Sequence, residues 1–519
     1  MSGLLVAGTT SDAGKSLLTA GICRWLRREG VAVAPFKSQN MSNNSMVCPD
    51  GAEIGRAQWV QALACRVVPE AAMNPVLLKP GTDRRSHIVL MGRPAGQLRS
   101  REWSTGRREL AATAFAAYAD LASRYDVIIA EGAGSIAEVN LRDGDYVNLG
   151  LARAVDLPVV VVGDIDRGGV LAAMYGSWAL LDDADRGHLA GWIVNKFRGD
   201  ADLLKPGLDV IESRTGLAVF GVVPYLREVW LDGEDALTLG AWQAHDVDAA
   251  PLVPTLPGGR SGKGAADDGS LRIAVVAFPR LSNATDVDAL AAEEGVRVEL
   301  LDHPARLRGA DLIVLPGSRT TLADLAWLHE RGLAAAIVAA AERGVPILGI
   351  CGGYQMLAGS IADPQAIEAS VPTRVDGLGL LPVAVEFEAA KRTAVIAGQW
   401  RGQRVEGYEI HHGVAQRVPV RVGARAAELD HAGSDSDAPE PFLDGWQQGN
   451  VWGTTWHGAF ESDGFRREFL THVAQLTGSG WRPRGGPGFR ARREDMLERL
   501  ADAVVEHLDT AAIRRLLGL

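Results

Sequence analysis

The opening of the chain constrains its fold most. The apolar run Leu4-Leu5-Val6-Ala7 passes directly into Gly8-Thr9-Thr10-Ser11-Asp12-Ala13-Gly14-Lys15-Ser16 and then into the helix-patterned stretch Leu17 to Arg28. Strand, glycine loop and helix in that order stack backbone N–H groups and the positive end of a helix around an anion. The residues therefore predict a nucleotide phosphate site. Gly8, Thr9, Thr10, Asp12, Ala13 and Gly14 form its cradle, Lys15 reaches the terminal phosphates, and the Ser16 hydroxyl holds Mg2+. The two glycines stand one residue further apart than in the commonest form of this loop.

A magnesium shell needs a carboxylate beside that hydroxyl, because the ion takes oxygen ligands and only one or two come from protein acids. Glu131 closes the apolar run Asp126 to Ala130 and precedes Gly132-Ala133-Gly134, where a parallel sheet presents ligands. Glu53 and Asp164 are lesser candidates of the same kind. Asn195, after another strand-like run, is placed either to hydrogen-bond a purine edge or to cap a helix.

Up to about residue 245, apolar runs at Leu4–Ala7, Asp126–Ala130, Leu157–Val162, Ile193–Val194 and Ala218–Val223 alternate with helical stretches. Runs this apolar read as parallel strands covered on both faces, which is a doubly wound α/β sheet. Pro251 to Ser270 breaks the pattern with Pro, Gly and Ser, and a second strand-and-helix series starts at Leu271. The expected layout is a P-loop domain over 1–248, a linker over 249–270, a second doubly wound α/β domain over 271–475, and a C-terminal helical extension over 476–519. Glu428 to Glu440 and Gly478 to Gly488 read as loops.

The second domain carries its own chemical signature. Gly349-Ile350-Cys351-Gly352-Gly353 sets a cysteine at a strand-to-helix turn, the thiol form of a nucleophile elbow. The Gly352 N–H is one expected oxyanion donor, and Gly317, in Leu315-Pro316-Gly317-Ser318, is the other. His457 follows a strand-like run about a hundred residues on and is the expected base. His411 and His412 are consecutive on a probable strand, so they face opposite ways and are expected to be structural.

A phosphate site and a thiol–imidazole site in one chain suit amide formation from a carboxylate. ATP converts the carboxylate to an acyl phosphate, and hydrolysis of glutamine frees the nitrogen. Composition excludes several other classes. Lys and Arg number 53 against 64 Asp and Glu, a net charge of −11, so nucleic acid is not an expected partner. The four cysteines show no C-x-x-C spacing, and no apolar stretch reaches the roughly 20 residues that span a bilayer. A cytoplasmic protein without a membrane partner is expected.

The motifs together resemble the cobyric acid synthases. The loop Gly8 to Ser16 is similar to that of dethiobiotin synthetase. The stretches Pro35 to Ser45, Glu53 to Gln58, Met73 to Pro80, Gly163 to Gly169 and Asn195 to Asp200 resemble segments particular to this family, and Gly349 to Gln355 with His457-Gly458 resembles its class I glutaminase half. The resemblance covers most of residues 1 to 470. It implies a dethiobiotin synthetase-like domain, a flavodoxin-like class I glutaminase domain, and dependence on ATP, Mg2+ and L-glutamine. The implied reaction is amidation of four peripheral carboxylates of a corrinoid, adenosylcobyrinic acid a,c-diamide.

It further implies Ser16, Glu53 and Glu131 as magnesium ligands, and Lys37, Gln39 and Asn40 at the substrate. Against a net charge of −11, a polyanionic substrate needs a local basic pocket, for which Lys37, Arg56, Lys79, Arg84, Arg85 and Arg167 are candidates. Wider class I glutaminases carry His-x-Glu, but Gly458 and Ala459 follow His457, so either Glu461 substitutes or the site is a dyad. Two rivals remain at this point. One is cobyrinic acid a,c-diamide synthase, disfavoured by Phe36 to Met41. The other is a partition-type ATPase switch with an inactive glutaminase module, disfavoured by Thr10 where such loops carry a second lysine.

Overall fold

The structure, a computed structural model, describes residues 2–82, 85–99, 103–226, 229, 269–418 and 438–519. The expected linker 249–270 lies almost wholly outside them, as does most of the 428–440 loop. The chain divides into two compact units, Met1–Glu234 together with Ala491–Leu519, and Asp235–Arg490.

The first unit is built on six strands, β1 (Ser2–Gly8), β2 (Val33–Phe36), β3 (Val127–Glu131), β4 (Val159–Asp164), β5 (Leu189–Phe197) and β6 (Ala218–Pro224), in the order β6-β5-β4-β1-β3-β2. Every pairing is parallel. Alternation along β1 explains its apolar run: Leu4 and Val6 enter one core cluster, Leu5 and Ala7 the other. Each of the larger three contributes on the order of 2 kcal/mol through burial. Strand order reverses around β1, so the glycine loop leaving it opens into the crevice where such sheets bind ligands. A smaller sheet of Gln39–Met41, Val76–Thr82, Arg85–Leu90 and Arg93–Arg99 is a hairpin array that hydrophobic runs alone did not separate.

Residues 491–519 are not a free-standing extension. The helices Phe489–His507 and Thr510–Leu516 place Met496, Leu497, Leu500, Val504 and Ile513 in the same core as Leu18 and Ile22 of the helix Lys15–Arg28. A Cβ added to Gly21 would lie 2.9 Å from the Leu500 carbonyl oxygen, so glycine sets how closely the helices approach. Buried Arg24 pairs with Glu494 and Glu498, each at 3.0 Å. Helical periodicity in the sequence showed that this segment has an apolar face. It did not show which surface that face covers.

The second unit holds a seven-stranded sheet of β7 (Leu271–Val276), β8 (Val296–Leu301), β9 (Leu312–Leu315), β10 (Ile347–Ile350), β13 (Glu440–Phe442), β14 (Gly445–Gln448) and β15 (Val451–Thr454). Between β10 and β13 runs a long antiparallel hairpin of β11 (Val383–Trp400) and β12 (Gln403–Arg417). The sheet order is β8-β7-β9-β10-β15-β14-β13, with the first five strands parallel and the last two antiparallel. Residues 478–488 are loop, as their composition predicts.

Candidate active sites

In the first unit, Gly14 has φ 92° and lies against Asn195, whose Nδ2 donates to the Ala13 carbonyl at 2.9 Å. Asn195 therefore holds the loop and caps no helix there. Lys196, the next residue, donates to the Asp12 carbonyl at 2.5 Å and to Asp164 Oδ2 at 2.8 Å. Asp164 is thus occupied by an ion pair. The ammonium of Lys15 folds back over the loop to the carbonyls of Thr10 at 2.9 Å and Gly134 at 3.1 Å.

The Ser16 hydroxyl donates to Glu131 Oε1 at 2.7 Å, so the helix-start and strand-end magnesium candidates meet. Lys37 Nζ reaches the same oxygen at 2.8 Å, and Gln61 Nε2 donates to Oε2 at 2.6 Å. Burial works against the Glu131 charge, but the Lys37 ammonium and the hydrogen bonds from Lys37, Gln61 and Ser16 hold the carboxyl below its ordinary value. It is an anion at neutral pH. Gln61 had no sequence signal, because a glutamine inside a helix carries no motif.

Glu53 is seated differently. It is fully buried, accepts from the Ser45 hydroxyl at 2.7 Å and is ion-paired with Lys79, which also donates to Ser45 Oγ at 2.9 Å. The expected role of Glu53 as a magnesium ligand gains no support from this pairing. Gln39 accepts from the Tyr146 hydroxyl, and Asn40 Nδ2 donates to Gln58 Oε1 at 2.9 Å. Asn74 links the segment by donating to the carbonyls of Lys37 and Val76. Lys37, Gln39, Asn40, Arg56 and Lys79 are all buried. Arg167 is exposed and lies 3.6 Å from Asp12, whereas Arg84 is outside the described residues.

In the second unit, Cys351 follows β10 with φ 51° and ψ −109°, a strained conformation costing about 1–3 kcal/mol. Its glycine neighbours permit the turn: a Cβ on Gly353 would overlap the Leu315 carbonyl, and one on Gly349 would lie 2.7 Å from Tyr354 N. The thiol sits 3.8 Å from the Ile410 carbonyl. His457 Nδ1 lies 2.7 Å from Asp286 Oδ2, and Asp286 Oδ1 accepts from the Gly458 N–H at 2.8 Å. Burial opposes an imidazolium here, but Asp286 and the Cys351 sulfur outweigh it and lift His457 to about 10.

Cys351, His457 and Asp286 thus stand in the order of a thiol–imidazole–carboxylate array, with Asp286 in the place for which the sequence offered Glu461. Asp286 stands in the turn Ala284–Val287, 171 residues before its histidine, and no local spacing announces it.

The oxyanion loop also departs from expectation. Ser282 pairs with Gly317 and Leu281 with Ser318, and the Arg319 N–H donates to Arg280. Donors alternate along an antiparallel strand, so the Gly317 N–H turns toward Ser282 and that of Ser318 turns away. A Cβ on Gly352 would lie 2.8 Å from Ser318 N. Gly352 and Ser318, not Gly317, are the neighbouring donors. The Ser318 hydroxyl is tied to Asp324 Oδ2 at 2.6 Å, which fixes the loop.

A phosphate loop at the switch point of one parallel sheet and an acid–imidazole–thiol array at the elbow of another define a class: nucleotide-dependent ligases that draw nitrogen from glutamine. Comparison with known proteins agrees. Residues 4–239 match the CobQ/CobB/MinD/ParA nucleotide binding domain, and residues 272–465 match the CobB/CobQ-like glutamine amidotransferase domain. The cobyric acid synthase of Cutibacterium acnes is 56% identical, over 99% of this chain and 100% of that protein. Those of Mycolicibacterium vanbaalenii and Streptomyces coelicolor are 53% and 51% identical, each over 99% of this chain and 96% of its own. The chain belongs to the cobyric acid synthase family.

No helix among the described residues is long and apolar enough to cross a membrane.

Proposed function

We propose that the protein amidates the b, d, e and g carboxylates of adenosylcobyrinic acid a,c-diamide, giving adenosylcobyric acid. The observation that carries this reading is the Cys351–His457–Asp286 triad, in a chain that is 51–56% identical to cobyric acid synthases along its whole length.

The first unit binds ATP through the loop Gly8 to Ser16. Lys15 neutralises the terminal phosphates, and Lys37 faces the transferring phosphoryl group. Lys37, Gln39 and Asn40, with Lys79 held by Glu53, form the polar wall that meets the corrinoid carboxylate. The carboxylate oxygen attacks the γ-phosphorus and ADP leaves, giving an acyl phosphate. The Ser16 hydroxyl and the ionised Glu131 are hard oxygen donors 2.7 Å apart, a donor set that fits magnesium, which when bound neutralises phosphate charge.

In the second unit the Cys351 sulfur attacks the carboxamide carbon of glutamine. Negative charge forms on the carbonyl oxygen and is met by the N–H groups of Gly352 and Ser318. His457 gives a proton to the departing nitrogen, and ammonia and a thioester result. Water then cleaves the thioester to glutamate. Asp286 keeps the imidazole oriented and its charge balanced throughout. Ammonia displaces phosphate from the acyl phosphate and the amide forms.

Incubation of the protein with ATP, glutamine and each corrinoid acid tests the assignment. Four amidations of the a,c-diamide are expected, each with one ADP. Amidation of only the a and c positions of cobyrinic acid would overturn it.

A further inference from the structure

His411 and His412 are adjacent on β12, and the proposed chemistry uses neither. The ring Nδ1 of His412 lies 3.0 Å from the Glu388 carbonyl. His411 is arranged differently. Its side chain is 5% exposed, its Nδ1 lies 2.8 Å from the Gly413 carbonyl, and its Nε2 is buried without a hydrogen-bond partner. A carbonyl only accepts, so Nδ1 carries the proton and Nε2 is an acceptor. Burial lowers His411 to about 4, which keeps it neutral in cells. A buried acceptor left unmet is destabilising.

The position of this acceptor gives it meaning. Ile410, one residue back, presents the carbonyl that faces Cys351 Sγ at 3.8 Å. Gly413, two residues on and on the same strand face, lies against Gln355, four residues past Cys351; a Cβ there would be 2.5 Å from Gln355 Nε2. Glu409 shares that face and sets its Oε2 4.0 Å from His411 Nε2. That gap is too long for a hydrogen bond between the two. Two acceptors sharing one tetrahedral nitrogen, each bonded at roughly 2.9 Å, stand about 4 to 5 Å apart.

We propose that His411 Nε2 and Glu409 Oε2 are the acceptor pair for an N–H-bearing nitrogen of the donor substrate, either the α-ammonium of glutamine or the ammonia cut from its carboxamide. The proposal rests on the glutaminase reading above.

The test compares His411→Phe, which removes the acceptor at similar volume, with His411→Gln, which returns a carbonyl oxygen near the same place. If the α-ammonium is held, His411→Phe raises the KM for glutamine about tenfold and leaves unchanged the KM for glutaramate, which lacks the α-amino group. If ammonia is held, KM stays and the glutamine consumed per amide formed rises several-fold. In either case His411→Gln restores the wild-type value, and Glu409→Met, which removes the second acceptor, repeats the loss should His411→Phe unfold. Unchanged KM together with an unchanged ratio, or His411→Gln behaving as His411→Phe does, overturns the proposal. Absence of glutamine hydrolysis by the wild-type protein would instead remove the glutaminase reading itself.

Discussion

Asp286 Oδ2 lies 2.7 Å from His457 Nδ1, and this contact supplies the carboxylate that the proposed Cys351–His457 pair lacks in the sequence. It joins a turn just after the first strand of the second unit to a loop just after the last strand of its sheet.

Removing the Asp286 charge should therefore change activity and its pH dependence together. Asp286→Asn is expected to lower glutamine hydrolysis roughly a hundredfold or more. His457 in the wild-type protein keeps its proton up to about 10, so activity should fall only as pH rises through that value. Without Asp286 the histidine loses its proton at lower pH, and the alkaline limb of kcat/KM moves down. The same raised pKa contributes stability that is fully present below about 6.5 and is lost as pH rises through about 10. An alkaline limb that does not move would count against the triad.

The two chemistries should separate by mutation. Cys351→Ala is expected to abolish glutamine-dependent amidation while ammonium salts still support the reaction. Lys15→Ala is expected to remove both activities, because neither nitrogen source replaces the acyl phosphate. Product analysis with each nitrogen source decides this, and full glutamine-dependent activity of the cysteine variant would refute the assignment of Cys351.

Asp324 offers a pH-dependent stability test of the oxyanion loop. Burial, which outweighs the Ser318 hydrogen bond, raises its carboxyl to about 6. The folded state thus holds this proton more tightly than the unfolded chain. Its ionisation costs stability that grows as pH rises from about 3.8 to about 6 and is complete above that. Asp324→Asn keeps an acceptor for Ser318 and should raise Tm at pH 8, by the equivalent of on the order of 2 kcal/mol, with little effect below pH 4. Thermal melts at the two pH values check it.

The terminal helix should be essential to the first unit. Leu500→Ala opens a cavity in the shared core and is expected to cost about 2–5 kcal/mol. Gly21→Ala pushes against the Leu500 carbonyl and is expected to be destabilising as well. Denaturant titration, read as the first transition if two are seen, measures both.

What the sequence disclosed and what it concealed divide along local and non-local physics. The glycine loop, the elbow at Cys351 and the buried runs of β1, β3 and β4 are contiguous, so steric and periodic rules expose them directly. The meeting of Ser16 with Glu131 was legible because Ser16 opens the helix that follows β1 and Glu131 ends the neighbouring parallel strand β3, where topology fixes position. Asp286 was not, since its approach to His457 depends on a turn and a loop brought together only by tertiary packing. The choice of Ser318 over Gly317 depends on the direction of one N–H, which is set by register against Leu281–Ser282. The ion pair of Glu53 with Lys79 was likewise hidden, since tertiary packing alone brings the two together.

The placement of residues 491–519 in the first unit bears on how the protein is made. A ribosome delivers β1 and its loop well before the final helices, so the core that Leu18 and Ile22 share with Met496, Leu497 and Leu500 stays incomplete until they emerge. The glutaminase unit, continuous from Asp235 to Arg490, has its whole sequence available earlier and can mature while its companion waits. Nascent chains stalled anywhere before that point should be chaperone clients, and a ligase half can be completed only by a polypeptide that already carries its own nitrogen source.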